Sequence, residues 1–321
     1  MKRAWQAWVA LLDRREPPTA LALVRIAAAF VMLCDQLWVW HLGIVDVLWS
    51  RYPQGFATYF SGWADQLGLG AMGLWAIVVV SLACVLLGVA TRAACVVFVI
   101  ASAQQAAIAP EIESAIDVLM RIVFAILALS RCNARWSIDA WILRRLGRPM
   151  PALVPAWPRY LLLAQLVWVY FSSGQNKSSA VWGPHGGFTA LANAMLDPIN
   201  GRLAPGVVTA IYPLTRVATA LTMVFELTAP LYLWWLYFAA TPERPGRLRA
   251  LANRFRLRWI WIALGVSFQL GIAIGLRLGS FPYGMLALFP VLLLPEELQR
   301  LNTAAPAKRA SSPSPSQMRS S

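Results

Sequence analysis

Acidic residues are scarce in this chain of 321 residues: 14 Asp and Glu stand against 28 Lys and Arg, and charged residues of all kinds make up only 13%. Beside a hydrophobic fraction of 59%, so little charge excludes a single water-soluble domain, whose apolar content lies nearer half. Histidine is rarer still, with only His41 and His185. Two histidines without a nearby carboxylate cluster fall short of the usual metal or haem ligand sets, so no metal is expected. Cys34, Cys84, Cys95 and Cys132 show no CxxC spacing and lie in or beside apolar stretches, which argues against disulfides and structural zinc. The chain has no GxGxxG, Walker or GxSxG motif, and nucleotide and serine-hydrolase chemistry therefore find no support. Nor is there an evident internal repeat of the sort that marks secondary transporters.

Long apolar blocks are what the chain has in their place. A bilayer core takes about 20 apolar residues per crossing, and blocks near that length occupy 19–41, 71–90, 93–110, 115–131, 160–174, 214–239, 259–278 and 281–295. They predict an all-α fold, a polytopic transmembrane helical bundle of about eight spans. The last two blocks are parted only by Gly279, Ser280, Phe281 and Pro282, a composition that predicts a tight helical hairpin.

The net charge of +14 is spread between these blocks rather than gathered on one soluble domain, so it is read as membrane topology, and nucleic acid is not an expected partner. One set of segments carries Lys2, Arg3, Arg14 and Arg15, then Arg92, then six arginines from Arg131 to Arg159, six more from Arg244 to Arg258, and a basic tail. The opposite set holds only Arg51, Lys177, Arg202 and Arg277. The positive-inside rule then places both termini in the cytoplasm and predicts a multi-pass protein of a bacterial inner (cytoplasmic) membrane. The start resembles a signal peptide, yet Arg25 interrupts its apolar run and seven further blocks follow, which predicts an uncleaved first helix.

Three regions are expected: a basic cytoplasmic segment over 1–18, a transmembrane domain over 19–297, and a disordered basic tail rich in Ser and Pro over 298–321. Within the domain, Trp136, Ile138, Trp141, Ile142 and Leu146 recur at helical spacing beside Asp139, Arg144 and Arg145. That pattern predicts a helix lying on the cytoplasmic leaflet with Ser137 as its cap. The segment 46–70 carries Trp49, Tyr52, Phe56, Tyr59, Phe60 and Trp63, and reads as an aromatic belt or as a lid at headgroup level.

Polar residues at membrane depth are costly unless they face a partner or a wet cavity, so function is sought at Arg25, Asp35, Asp117, Arg121, Arg216 and Glu226. Asp117 and Arg121 stand one helical turn apart, which predicts an ion pair. These residues read either as glue between helices or as the walls of a substrate site. Gly271, Gly275 and Gly279 recur every fourth residue, spacing that allows close helix approach. The most unusual stretch runs from Tyr170 to Gly183, YFSSGQNKSSAVWG. The chain uses 25 arginines and three lysines, and Lys177 is the lysine outside the termini. Arginine keeps its proton near neutral pH, whereas a partly desolvated lysine can give it up and act as a base. Snorkelling of a helix-end lysine to the interface is the competing reading.

Several motifs, in this order, resemble the HTTM family, the horizontally transferred transmembrane domain shared with the membrane part of vitamin K-dependent gamma-carboxylase. They are LALVR ending at Arg25, LGVATR with Gly88 and Arg92, DVLMR with Asp117 and Arg121, WSIDAW over 136–141, the Tyr170–Gly183 segment, and GSFPYGM over 279–285. The resemblance covers about residues 19–297. It implies a helical bundle open to the outer face and a catalytic lysine that deprotonates vitamin K hydroquinone, after which the oxygenated quinone takes a proton from a peptide glutamate. By position that lysine is Lys177. A reduced quinone such as vitamin K hydroquinone is thus implied as cofactor, by resemblance alone.

The substrate-pocket candidates beside the lysine are Arg25, Asp117, Arg121, Trp182, Glu226 and Gln269. Three departures from the carboxylase pattern stand out. A polar histidine after the third span is replaced here by the stretch from Glu113 to Asp117; a histidine after Phe in the seventh span is replaced by Gln269; and the large lumenal domain that grips the peptide has no expected counterpart. Two functions stay open: a membrane enzyme acting on a lipid-soluble or peptide substrate at the outer face, or a non-catalytic membrane component assisting export or maturation of a peptide, as in relatives that serve production of a sporulation-delaying toxin. The expected partners are the lipid bilayer and a peptide or membrane protein.

Overall fold

The computed structural model describes residues 9, 13–50 and 63–303. Each apolar block is helical there. The principal helices are α1 (Thr19–His41), α2 (Gly70–Leu87), α3 (Thr91–Ile108), α4 (Ala115–Leu129), α5 (Ile138–Arg145), α6 (Trp157–Asn176), α7 (Ala190–Leu196), α8 (Tyr212–Leu227), α9 (Leu231–Ala240), α10 (Leu257–Gly275) and α11 (Phe281–Ala287). Strand is confined, among the described residues, to an antiparallel pairing of Arg15–Glu16 with Val154–Pro155.

Four of these helices, α1, α2, α3 and α10, are long and apolar enough to cross a bilayer; α8 and α9 together make a fifth candidate, bent by 67°. The bend has a covalent cause. Pro230 has no N–H to offer the Glu226 carbonyl four residues back, and that carbonyl instead accepts from Ala229 at 3.2 Å. The helical blocks α4, α6 and α11 fall short of that length or apolarity. In α6 the shortfall comes from polar residues along its length, Arg159 near its start, Gln165 in its middle and Gln175 and Asn176 at its end.

Helices α1 to α4 pack as successive hairpins, and α6, α8 and α10 pack beside them. The short α11 bridges the two groups by touching α1, α4 and α10. One apolar cluster runs through this arrangement, from Val24 and Ala28 through Val78, Phe98 and Phe124 to Leu166 and Leu292. The outward faces are apolar as well: Phe30 is 56% exposed, Val80 60% and Leu129 71%. A surface of that kind is soluble only in lipid, and the chain is an integral membrane protein with an all-α bundle fold.

Several local expectations meet their structure here. Ser137 caps α5, its hydroxyl accepting from the Ala140 N–H at 2.9 Å. In the 46–70 segment Trp49 is buried and Trp63 is half-buried, while Tyr52, Phe56, Tyr59 and Phe60 lie outside the described residues. The tail is helical over Pro295–Thr303, past the boundary expected at 297, and its remainder lies outside the described residues. The segment before α1 is tied down: Glu16, buried, accepts from Arg159 Nε at 2.6 Å.

Two expectations need correcting. Arg121 pairs with Glu113 and not with Asp117. Asp117 is instead the N3 member of a capping box on α4, accepting from the Ser114 N–H at 2.9 Å and hydroxyl at 2.7 Å. Of the three glycines at fourfold spacing only Gly275 permits a close approach, against Met195. Gly279 turns the chain with φ +54°, and a Cβ at Gly271 would meet open space.

Candidate functional site

Lys177 ends α6, and its side chain turns back along that helix into the protein. Its Nζ donates to Ser173 Oγ at 2.7 Å and to the two carboxylate oxygens of Glu226 at 2.8 and 2.6 Å. Ser173 Oγ in turn donates to Glu226 Oε1 at 3.1 Å. The Trp182 ring lies on the other side of the amine, its centroid 5.0 Å from Nζ, a cation–π geometry. The Lys177 side chain is 16% exposed and that of Glu226 2%, so this ion pair is largely withdrawn from water.

Local sequence explains how the pair forms. Gly174 faces α8, where a Cβ would lie 3.0 Å from the Glu226 Cβ, so the absent side chain lets the two helices close up. The Pro230 break ends α8 one residue after Glu226, at the level of Lys177.

The pair faces a cavity of about 230 Å³. Tyr170, Ser173, Trp182, Thr219 and Thr222 share its wall with Lys177 and Glu226, and Phe268, Ile272, Phe281 and Met285 make the rest apolar. Gln269, fully buried, sits behind that wall and donates from Nε2 to the Tyr170 hydroxyl at 2.9 Å. A second, almost wholly apolar cavity of about 150 Å³ lies between α8 and α10 and shares Leu191, Thr222, Phe268 and Ile272 with the first. Leu221 on its rim is 44% exposed, so this groove reaches the apolar outer surface of the bundle.

The structure thus gathers Lys177, Glu226, Trp182 and, through Tyr170, Gln269. Asp117 and Arg121 lie elsewhere, lining a cavity between α1, α3 and α4. Arg25 lies at the other end of the bundle, where its Nη2 donates to the Trp136 carbonyl at 2.5 Å. Ser173 stood in the Tyr170–Gly183 segment around Lys177, whereas Thr219 and Thr222 escaped sequence reasoning, because an uncharged hydroxyl at membrane depth commonly satisfies itself on its own helix, as Thr219 does on the Thr215 carbonyl at 2.8 Å.

Arg25 belongs to a second polar centre. Asp139 of α5 accepts from the Ala90 and Thr91 N–H groups, the Thr91 hydroxyl and Asn133 Nδ2, at 2.8 to 3.1 Å, and so caps the start of α3 from a distant part of the chain. Partial burial raises the affinity of this carboxylate for a proton, but the hydrogen bonds from Asn133, Thr91 and Ala90 outweigh it, leaving its pKa below the usual carboxylate range. Gly88, with φ +73°, lies against Arg25 and Ser137, where any Cβ would overlap both. Three stretches far apart in sequence, around Arg25, Gly88 and Asp139, therefore form one lock.

The HTTM domain matches residues 13–242, more than two-thirds of the chain. The chain belongs to the HTTM family. No curated protein and no solved structure matches it. The family match takes in the Arg25 lock and both members of the Lys177–Glu226 pair, and ends before α10 and α11, which complete the cavity of this HTTM protein. Among the described residues no three His, Cys, Asp or Glu side chains converge as a metal site.

Proposed function

We propose that this HTTM protein is a membrane enzyme that takes a proton from a weakly acidic, lipid-soluble substrate, with Lys177 as the base and Glu226 as the group that holds and recharges it. The observation that carries this reading is the buried contact between Lys177 Nζ and Glu226 facing a cavity contiguous with an apolar groove. In a poorly solvated site an ion pair and its neutral counterpart, amine plus carboxylic acid, differ by one proton moved along a short hydrogen bond. From the neutral form the amine lone pair accepts the substrate proton and the substrate leaves as its anion; Glu226 then releases its own proton to water at the cavity mouth, and the ammonium passes its proton to the freed carboxylate, which restores the neutral pair. Trp182 and Tyr170 supply aromatic faces for a flat substrate, while Thr219 and Thr222 offer hydroxyls to orient its oxygen.

The family resemblance makes a reduced quinone such as vitamin K hydroquinone the substrate to test first. The aromatic lining suits its ring, and a phenolic O–H is acidic enough for an amine base. The same reading sets Lys177 toward the outer face of a bacterial inner membrane, with the arginine-rich segments in the cytoplasm.

The test uses the full chain in lipid nanodiscs and an alkyl-chain nitrophenol, whose ionised form absorbs in the visible. Protein with the native pair should bind the probe and show its phenolate band at a pH where the probe in protein-free nanodiscs is un-ionised. Lys177→Ala should abolish the band, and vitamin K hydroquinone should compete with the probe. An unchanged band in Lys177→Ala overturns the proposal.

A second reading, a non-catalytic component for export or maturation of a peptide, draws on the same contact: Glu226 and Ser173 occupy the amine's hydrogen-bond donors, as in an interhelical clamp. It predicts that Lys177→Ala changes stability while the probe finds no specific site.

A further inference from the structure

A further polar cavity lies between α1, α3 and α4, encloses about 160 Å³ and shares no lining residue with the Lys177 cavity. It exceeds by about tenfold the roughly 15 Å³ that one water needs, so it is more than a packing defect. Its charges do not cancel. Arg121 is taken by Glu113 and Asp117 is taken by its capping box, which leaves the Asp35 carboxylate facing the same space, hydrogen-bonded to Ser280 but with no cation partner among the described residues.

Two buried amides on its wall are incomplete as well. Gln36 is 8% exposed and Gln105 5%, and the Gln36 Oε1 and Gln105 Nε2 atoms have no hydrogen-bond partner. One needs a donor and the other an acceptor. Leaving both orphaned in the interior of a membrane protein is costly, as is an uncompensated carboxylate.

We infer that this cavity is a binding site for a small molecule or headgroup that carries a primary ammonium and an oxygen acceptor, with the ammonium donating to Asp35 and to the Gln36 carbonyl oxygen and the ligand oxygen accepting from Gln105 Nε2. Trp49 and Phe98 line the same wall, and aromatic rings are suited to the remaining side of a cation. Free ethanolamine and the headgroup of phosphatidylethanolamine share this chemistry. A quaternary ammonium does not, because it has no proton for the Gln36 oxygen.

The full chain in phosphatidylcholine nanodiscs, titrated with radiolabelled ethanolamine, tests the site. Saturable binding is expected, weakened about tenfold or more in Asp35→Asn and about fivefold in Gln105→Leu, with choline failing to compete. The Gln105→Leu variant carries the comparison if Asp35→Asn does not fold. Doping the nanodiscs with phosphatidylethanolamine separates the two sources: displacement of the label assigns the lipid headgroup, and its retention assigns the free amine. Non-saturating binding, equal binding by wild type and the variants, or competition by choline would overturn the inference and leave a cavity that holds water only.

Discussion

The Lys177 ammonium is held between both oxygens of the Glu226 carboxylate, at 2.8 and 2.6 Å, although the two residues stand 49 positions apart. A pair this withdrawn from water is worth little compared with a packed apolar replacement, but breaking it strands a charge. Lys177→Met alone and Glu226→Leu alone are each expected to destabilise the protein by about 3 kcal/mol, the lower end of the range for buried pairs because the lysine keeps some exposure. The double variant should recover most of that loss. Denaturant unfolding in detergent micelles measures the cycle, and additive losses in the double variant would mean that the two groups are not coupled in solution.

Much of this site was legible in the sequence. Lys177 stood out as the lysine outside the termini, and Glu226 as an acid within an apolar block. Their meeting was not legible, because it depends on a missing side chain at Gly174 and on the helix break at Pro230, and neither residue advertises its partner. Arg121 misled for a local reason: fourfold spacing favours Asp117, but an acid at the third position of a helix that follows a serine is claimed by the cap. Arg25 misled for a global one. A buried arginine looks the same in sequence whether it faces a substrate or a backbone carbonyl, here that of Trp136. The apolar blocks gave away the helices, whereas the pairing of Glu16 with Arg159 depends on the finished fold.

Asp139 should make stability depend on acid pH. Its pKa in the folded protein lies below the usual carboxylate range, so the unfolded chain binds the proton more readily. The stabilisation is therefore complete above the ordinary carboxylate range and is lost as the pH falls through that range to the lower folded value. Asp139→Asn should cost about 1–2 kcal/mol at neutral pH, since it leaves donors of the α3 start poorly paired, and should flatten this acid limb of the profile. Thermal unfolding measured between neutral and strongly acid pH checks both, and an acid limb identical in the variant would assign the dependence to other carboxylates.

Gly88 is the tightest point of the Arg25 lock. Its left-handed backbone costs a side-chain-bearing residue about 1 kcal/mol, and the overlap of any Cβ with Arg25 and Ser137 adds to that. Gly88→Ala is expected to lose about 2–4 kcal/mol, far more than Gly206→Ala, whose added Cβ would meet nothing within 4 Å. Equal losses at the two positions, read from thermal unfolding in micelles, would show that the lock yields at little cost.

Gly271 tests whether substrate reaches Lys177 from the lipid. It lines the groove between α8 and α10, and a Cβ there would meet no atom within 4 Å, so a larger side chain enters empty space rather than packed protein. Gly271→Ala should stabilise α10 by up to about 1 kcal/mol through helix propensity and leave the groove open. Gly271→Phe should fill it while leaving the Lys177–Glu226 contact untouched, because that contact lies on α6 and α8. Entry of a lipid-dissolved nitrophenol, followed by stopped-flow absorbance, is then expected to slow about tenfold in the Phe variant, a barrier of about 1.4 kcal/mol, and to be unchanged in the Ala variant. Equal entry rates in both would move the route away from this groove, to the end of the bundle where Trp182 and α7 cover the cavity.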